Sequence, residues 1–407
     1  MKILLSTLLA VFIFNAVNAQ FCTNDHRFTN KPIFETQEVQ VFGDIVYGKA
    51  DDYQGQEATL LYDAYIQKPD SDTLEKRPVV IMIHGGGFVS GNKGQRYFEC
   101  LSFAQRGYVA FSIGYRLGFK TTDPLGQIKA IYRAQQDIDA AIRHIISEQQ
   151  KYGIDTNWIF IGGTSAGAIT SNNIAYTSQD DWYRLFPSME KDLGALNQSG
   201  NTIETSYNVN AVFNNWGAAV VGVIQHDEMV PQIAFHGELD QTVNIDTSSA
   251  GNLMGSRSIH TLLNDNNICS ELHVDVKGGH GIYTNKEGAI YRAARASCFF
   301  KSIMCSECTD FYAENYVEPN CSFSVGFNDL DNNLSHYHVF PNPSNGIYHI
   351  AGLSGNETIS IYNTFGERVH ISKDKESTIN LTSLPNGVYW VKIRSNETTT
   401  SYNLIKK

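Results

Sequence analysis

Trp158-Ile159-Phe160-Ile161-Gly162-Gly163-Thr164-Ser165-Ala166-Gly167 is an apolar run that breaks into glycines around one serine. The run reads as a buried strand, and Ala166 to about Tyr176 reads as the helix that follows it. Between them the chain must turn sharply, and small residues on both sides of Ser165 let the backbone close while the hydroxyl is lifted clear of the sheet. A Gly-Ser turn of this kind is also compatible with a merely tight strand-to-helix connection. Upstream, the same grammar recurs in Val79-Val80-Ile81-Met82-Ile83, followed by His84-Gly85-Gly86-Gly87-Phe88. Five apolar residues without alternation fit a strand covered on both faces.

Further strand-like runs lie at Val39–Val46, Thr59–Ile66, Tyr108–Ile113, Val209–Phe213, Gln232–Phe235 and Leu272–Val276. Helical patterns fall between them. The clearest is expected to open at Asp123-Pro124, to carry Ile128, Ile131, Ile138, Ile142 and Ile145 on one side, and to close near Gly153. An antiparallel start followed by strand–helix alternation predicts an α/β fold, doubly wound around a mostly parallel sheet. In such sheets ligands sit beyond the carboxyl ends of the strands, where both glycine motifs lie.

Three successive glycines leave main-chain N–H groups open to a ligand, which is what stabilising an oxyanion requires. A phosphate-cradling loop is the other use of such glycines, but neither segment ends in Gly-Lys-Ser/Thr. In this order, each after a strand, the two motifs resemble the α/β-hydrolase fold and in particular its HGGG-type carboxylesterases and lipases. The resemblance implies Ser165 as nucleophile, with the N–H groups of Gly86, Gly87 and Ala166 as the oxyanion hole. It also implies the chain order serine, acid, histidine, with the last two on loops after late strands. Gln232–Phe235 runs through His236-Gly237 into Glu238-Leu239-Asp240, and Leu272–Val276 runs into Gly278-Gly279-His280-Gly281. Asp240 and His280 are therefore the expected acid and base, with Glu238, Asp246, Asp227 and Glu228 as rivals for the acid. His84 is expected to shape its loop, and His236 and His273 to sit on strands. No metal or organic cofactor is needed for this chemistry.

Residues 177–208 are rich in Asp, Ser and Asn with Trp182, Tyr183 and Phe186, and fall where the resembled fold often inserts a lid. Their polarity speaks against a long-chain lipase, which would present a broad apolar surface there. Thr164 departs from the acidic residue more common before the serine, so no esterase subfamily is assigned.

The two ends of the chain read differently. Lys2, the apolar run Ile3–Val17 and the small residues of Val17-Asn18-Ala19 form the pattern of an export signal over 1–19, too short to span a bilayer. Export places the 7 Cys in an oxidising compartment. Structural disulfides, rather than zinc or redox chemistry, are expected at Cys305 and Cys308, and Cys100 is the candidate free thiol. His336-Tyr337-His338 offers too few ligands for a metal site.

After a polar linker at 328–337, residues 338–407 carry short β-rich runs with turn dipeptides, which suits a small β-sandwich. Phe340-Pro341-Asn342-Pro343-Ser344-Asn345-Gly346, Ile361-Tyr362-Asn363, the run Leu384–Ile393 and the final Lys406-Lys407 resemble the type A C-terminal sorting domain of the type IX secretion system. That resemblance implies passage across an outer membrane and a secretion machinery as partner. An accessory β-sandwich that binds carbohydrate is the alternative for this segment.

Lys and Arg number 31 against 42 Asp and Glu, a net charge of −11. Such a balance argues against a nucleic-acid backbone binder, which needs a basic face. The expectation is thus one catalytic domain over 20–327 hydrolysing short-chain or aromatic carboxylic esters, acetyl or feruloyl esters of polysaccharide among them. A serine peptidase of the same fold and a catalytically inactive secreted binding protein are the competing readings.

Overall fold

In the computed structural model the described residues are 21–22, 26–224, 229–248, 253–319, 321, 337–353, 357–363, 368–373, 377–394 and 399–407. The expected export signal, most of the expected linker, and Asp227, Glu228 and His336 lie outside them. The chain divides into two compact units at Val325/Gly326.

The first unit contains strands β1 (Val39–Asp51), β2 (Glu57–Gln67), β3 (Arg77–Ile83), β4 (Val109–Ile113), β5 (Ile154–Thr164), β6 (Ala211–Asn215), β7 (Ala218–Val220), β8 (Gln232–Gly237), β9 (Thr247–Ser248), β10 (Leu253–Gly255), β11 (Ser270–Asp275) and β12 (Phe311–Glu314). Its helices are α1 (Tyr97–Ala104), α2 (Gly126–Ser147), α3 (Gln149–Tyr152), α4 (Ala166–Tyr176), α5 (Gln179–Leu185), α6 (Met189–Leu193), α7 (Ser256–Asp265) and α8 (Lys286–Met304). One large sheet has the order β1-β2-β4-β3-β5-β6-β8-β11-β12. The first two strands are antiparallel, and the pairs from β4 onward are parallel. The unit has the α/β-hydrolase fold.

Every residue of β3 is buried, and its pleat sends successive side chains to opposite faces. Val79, Ile81 and Ile83 join a core built with residues of α2, α4 and α7. Val80 and Met82 join the other, where Phe103 of α1 and Phe299 and Phe300 of α8 pack with Phe160 and Phe213. Covering on both faces explains the unbroken apolar run. From β3 the chain proceeds to β4 on one side, and β5 lies on the other. A crevice therefore opens between the carboxyl ends of β3 and β5, where the strand order reverses.

Besides the short strands β7, β9 and β10, which form a small sheet of their own that the sequence does not show, two elements depart from expectation. Helix α2 begins at Gly126 rather than at Asp123-Pro124. Asp123 instead closes a turn, its Oδ1 accepting from Leu125 N and its carbonyl from Gly126 N. Gly153 does provide the left-handed cap after α3, at φ 60°. Strand β12, an edge strand without a long apolar run, escapes the sequence pattern.

Three disulfides, Cys22–Cys305, Cys269–Cys308 and Cys298–Cys321, lie in this unit, and Cys100 is free and buried on α1. No helix among the described residues is long and apolar enough to cross a membrane.

The second unit packs a sheet of β13 (His338–Phe340), β14 (Ile347–Ala351) and β17 (Thr378–Asn380) with one of β16 (Arg368–Lys373), β15 (Thr358–Tyr362), β18 (Gly387–Arg394) and β19 (Thr399–Lys406). Tyr348 and Ile350 from one sheet and Ile359, Ile361, Val391 and Ile393 from the other share one core. In β18 burial alternates strictly, with Tyr389, Val391 and Ile393 inward. That alternation is the signature of a two-layer β-sandwich.

Candidate active site

The turn after β5 is as tight as its small residues permit. A Cβ on Gly163 would stand 2.4 Å from the carbonyl carbon of Gly167, and one on Gly167 would stand 2.3 Å from Ile83 O. Between them Ser165 adopts φ 53° and ψ −119°, a conformation that L residues rarely hold without support. Support comes from β6: Ser165 N donates to Asn215 O at 2.9 Å, and Asn215 Nδ2 donates to Gly163 O at 2.8 Å. Helix α4 starts at the next residue, so its positive end lies at the serine.

The loop after β3 lies directly against this turn. A Cβ on Gly85 would be 2.8 Å from Thr164 O and 3.3 Å from Ser165 Cβ. Gly86 and Gly87 take φ values of 117° and 62°. The N–H groups of Gly86, Gly87 and Ala166 donate to no protein acceptor among the described residues. His84 shapes the loop as expected: its Nδ1 lies 2.8 Å from Gly85 O, and its ring stacks on Tyr115 at 4.4 Å. Burial pushes this imidazole down to about 4, the Gly85 carbonyl opposing and the Arg96 charge assisting. It is neutral at ordinary pH, so Nδ1–H donates to the carbonyl.

His280 and Asp240 arrive from the loops after β11 and β8. His280 Nε2 stands 2.9 Å from Ser165 Oγ, and His280 Nδ1 stands 2.8 Å from Asp240 Oδ2. The other oxygen of Asp240 accepts Thr242 N at 2.8 Å and Val243 N at 3.0 Å. Burial would raise the Asp240 carboxyl. The N–H groups of His236, His280, Val243 and Thr242 overcome that and hold it well below the usual carboxylate range. Of its rivals, Glu238 and Asp246 are paired with Arg257, the latter at 2.9 Å.

Two buried groups around this line have roles that the sequence does not show. His236 of β8 approaches Asp240 Oδ2 at 3.2 Å. Arg292 of α8 donates to Asn215 Oδ1 at 2.7 Å and to Glu99 Oε1 at 2.9 Å, and Arg292 Nε reaches Tyr283 O at 3.2 Å. Arg292 thus joins the serine turn, the histidine loop and α1. Residues 177–208 are fastened along α2 and β1: Trp182 Nε1 donates to Gln135 Oε1 at 2.6 Å, and Asn201 Nδ2 donates to Tyr47 O and Ala140 O. Arg143 reaches Ser199 O, Asn201 Oδ1 and Ile203 O at 3.1, 2.9 and 2.7 Å, which ties the segment to that flank.

Residues 63–230 match the BD-FAE family, and residues 338–407 match the secretion system C-terminal sorting domain. Gut esterase 1 of Caenorhabditis elegans is 29% identical over 164 residues, covering 38% of this chain and 27% of its own length. Esterase LipC of Mycobacterium tuberculosis is 30% identical over 131 residues, covering 32% and 30%. The chain therefore spans less than a third of the length of these relatives. The propionate-bound esterase Est2 of Thermogutta terrifontis aligns with 68% of this chain and 97% of its own, at 19% identity and a TM-score of 0.48.

Proposed function

From a chain that carries a BD-FAE α/β-hydrolase domain and a C-terminal sorting domain, we propose that the protein is a secreted serine carboxylic-ester hydrolase working through an acyl-enzyme. The sorting domain marks the chain for secretion or the cell surface, with a type IX machinery as its partner. One observation carries the catalytic reading: Ser165 Oγ, His280 and Asp240 form a continuous hydrogen-bonded line at 2.9 and 2.8 Å.

In this reading His280 Nε2 takes the hydroxyl proton as Ser165 Oγ attacks the ester carbonyl. Asp240, held as an anion, keeps the proton of His280 on Nδ1 and stabilises the imidazolium that forms. The open N–H groups of Gly86, Gly87 and Ala166 receive the developing oxyanion, assisted by the end of α4. His280 then returns its proton to the leaving alcohol; water, deprotonated by the same nitrogen, attacks the acyl carbon, and the acid leaves as the Oγ–acyl bond breaks and Ser165 Oγ takes the proton back.

For the substrate we propose short-chain or aromatic esters, such as acetyl or feruloyl groups on polysaccharide. Val89 and Leu239 offer apolar surface on the loops beside the site, which supports an apolar acyl partner. They are 57% and 61% exposed and sit on the loops that carry the glycines and Asp240.

A fluorophosphonate probe should label the wild-type protein once, at Ser165, and Ser165→Ala should lose both the label and turnover of p-nitrophenyl acetate. Retained turnover in that variant would overturn the mechanism. In a panel of acyl lengths that includes methyl ferulate, acetate or ferulate should be preferred to octanoate, and the reverse order would sink the substrate assignment.

A further inference from the structure

Asp240 serves two imidazoles. His236, fully buried on β8, places Nε2 3.2 Å from the same Oδ2 that receives His280 Nδ1, and 2.9 Å from Val243 O. Both neighbours of His236 Nε2 are acceptors, so a neutral ring carries its hydrogen there. The other nitrogen, Nδ1, faces Ser256 Oγ of α7 at 2.7 Å. Ser256 Oγ is itself approached at 3.1 Å by Asn214 Nδ2, a donor only, so its hydrogen goes to Nδ1 at 2.7 Å or to Gly217 O at 3.5 Å, and the shorter contact favours Nδ1. The same Asn214 amide donates to Gln232 Oε1 at 3.0 Å, and Gln232 Nε2 donates to Asn172 Oδ1 at 2.9 Å. All of these side chains are buried. So enclosed, the network favours the arrangement in which Ser256 donates to Nδ1 and His236 donates from Nε2.

We infer that His236 is a positioning residue of the proposed triad: an Nε2–H donor, held by Ser256, that fixes the Asp240 carboxylate and shares its charge with His280. The inference rests on the esterase reading of that site. With Thr242 N and Val243 N on one oxygen and two imidazoles on the other, the carboxylate has four donors and no freedom to rotate. Among the described residues, Asp240, from the loop after β8, is the one titratable group within hydrogen-bonding distance of the His236 ring. Ser256 from α7 and the Val243 carbonyl are its other hydrogen-bond partners.

Removing His236 acts in two ways. Asp240 loses a restraint, which misaligns His280 and lowers kcat. His280 is also left as the one imidazole on Oδ2, so the imidazolium is held more tightly and the acid limb of kcat/KM moves to higher pH.

The test compares His236→Phe, which has no N–H, His236→Gln, whose terminal amide can supply one, and Ser256→Ala, which removes the group that sets the ring. On p-nitrophenyl acetate, His236→Phe should lose roughly tenfold or more in kcat, the scale of a misplaced catalytic group, with KM little changed and the acid limb raised. His236→Gln should recover most of the loss, and Ser256→Ala should fall between. Imidazole ¹⁵N–¹H spectra without substrate should show hydrogen-bonded protons on His236 Nε2 and His280 Nδ1, the second shifting when the first is removed. That spectrum does not depend on ester turnover, so a wild-type protein inert to esters would fail the esterase reading while leaving this coupling measurable. A folded His236→Phe with wild-type kcat, pH profile and His280 proton overturns the inference. If that variant does not fold, the same wild-type behaviour in Ser256→Ala overturns it.

Discussion

Asp240 is where the chemistry of single residues is most exposed to test. Its carboxyl is held below the usual aspartate range in the fold, so its charge stabilises the native state above about pH 4, and that contribution drains away in more acidic solution. Asp240→Asn should therefore be less stable than wild type at neutral pH. The margin should close below about pH 4 in denaturant titrations, and a margin that widened in acid would contradict the assignment. The same variant should lose roughly 10⁴-fold in kcat, since the amide favours the wrong tautomer of the histidine. The line Ser165, His280, Asp240 was legible because each member sits in a glycine-rich or turn-forming segment directly after a strand. His236 was not. It reads as one more residue of an apolar strand, and its proposed role depends on Ser256, which reaches it only through the fold, and on Asn214 behind that serine.

At the level of elements, the contact between α4 and β3 does the positioning. Gly167 lies so close to the carbonyls of Ile83 and His84 that a methyl group would stand 2.3 and 2.5 Å from them. Alanine in place of glycine inside a helix ordinarily gains about 1 kcal/mol. Gly167→Ala should instead cost about 1–3 kcal/mol, as overpacking does, seen as a lowered Tm together with reduced turnover. A raised Tm would mean the helix can shift without penalty. Strands of the parallel sheet were readable because burial on both faces leaves an unbroken apolar run, as in β3 and β8. The opening of α2 was misread because Asp123 and Pro124 serve a turn as well as they serve a helix start. The tie from Arg292 to Asn215 and Glu99 bridges 77 and 193 residues of sequence, beyond any local pattern.

Across the whole molecule, the two units have separate cores. A chain ended before residue 338 should keep the wild-type kcat/KM on p-nitrophenyl acetate and the Tm of the α/β unit. A fall in either would show that the sandwich contributes to the site. The three bridges all lie in the first unit, and the tail contains no cysteine. One sulfur is left over, and Cys100 is entirely out of reach of solvent on α1, where burial pushes its thiol well up. The protein thus carries its own unfolding gauge. Ellman's reagent should find a single thiol in denaturant and none in the native protein, so the rate at which colour appears at intermediate conditions times the opening of the α/β core. Rapid reaction of the native protein would refute this. No label need be engineered, and the bridges can stay oxidised while the clock is read.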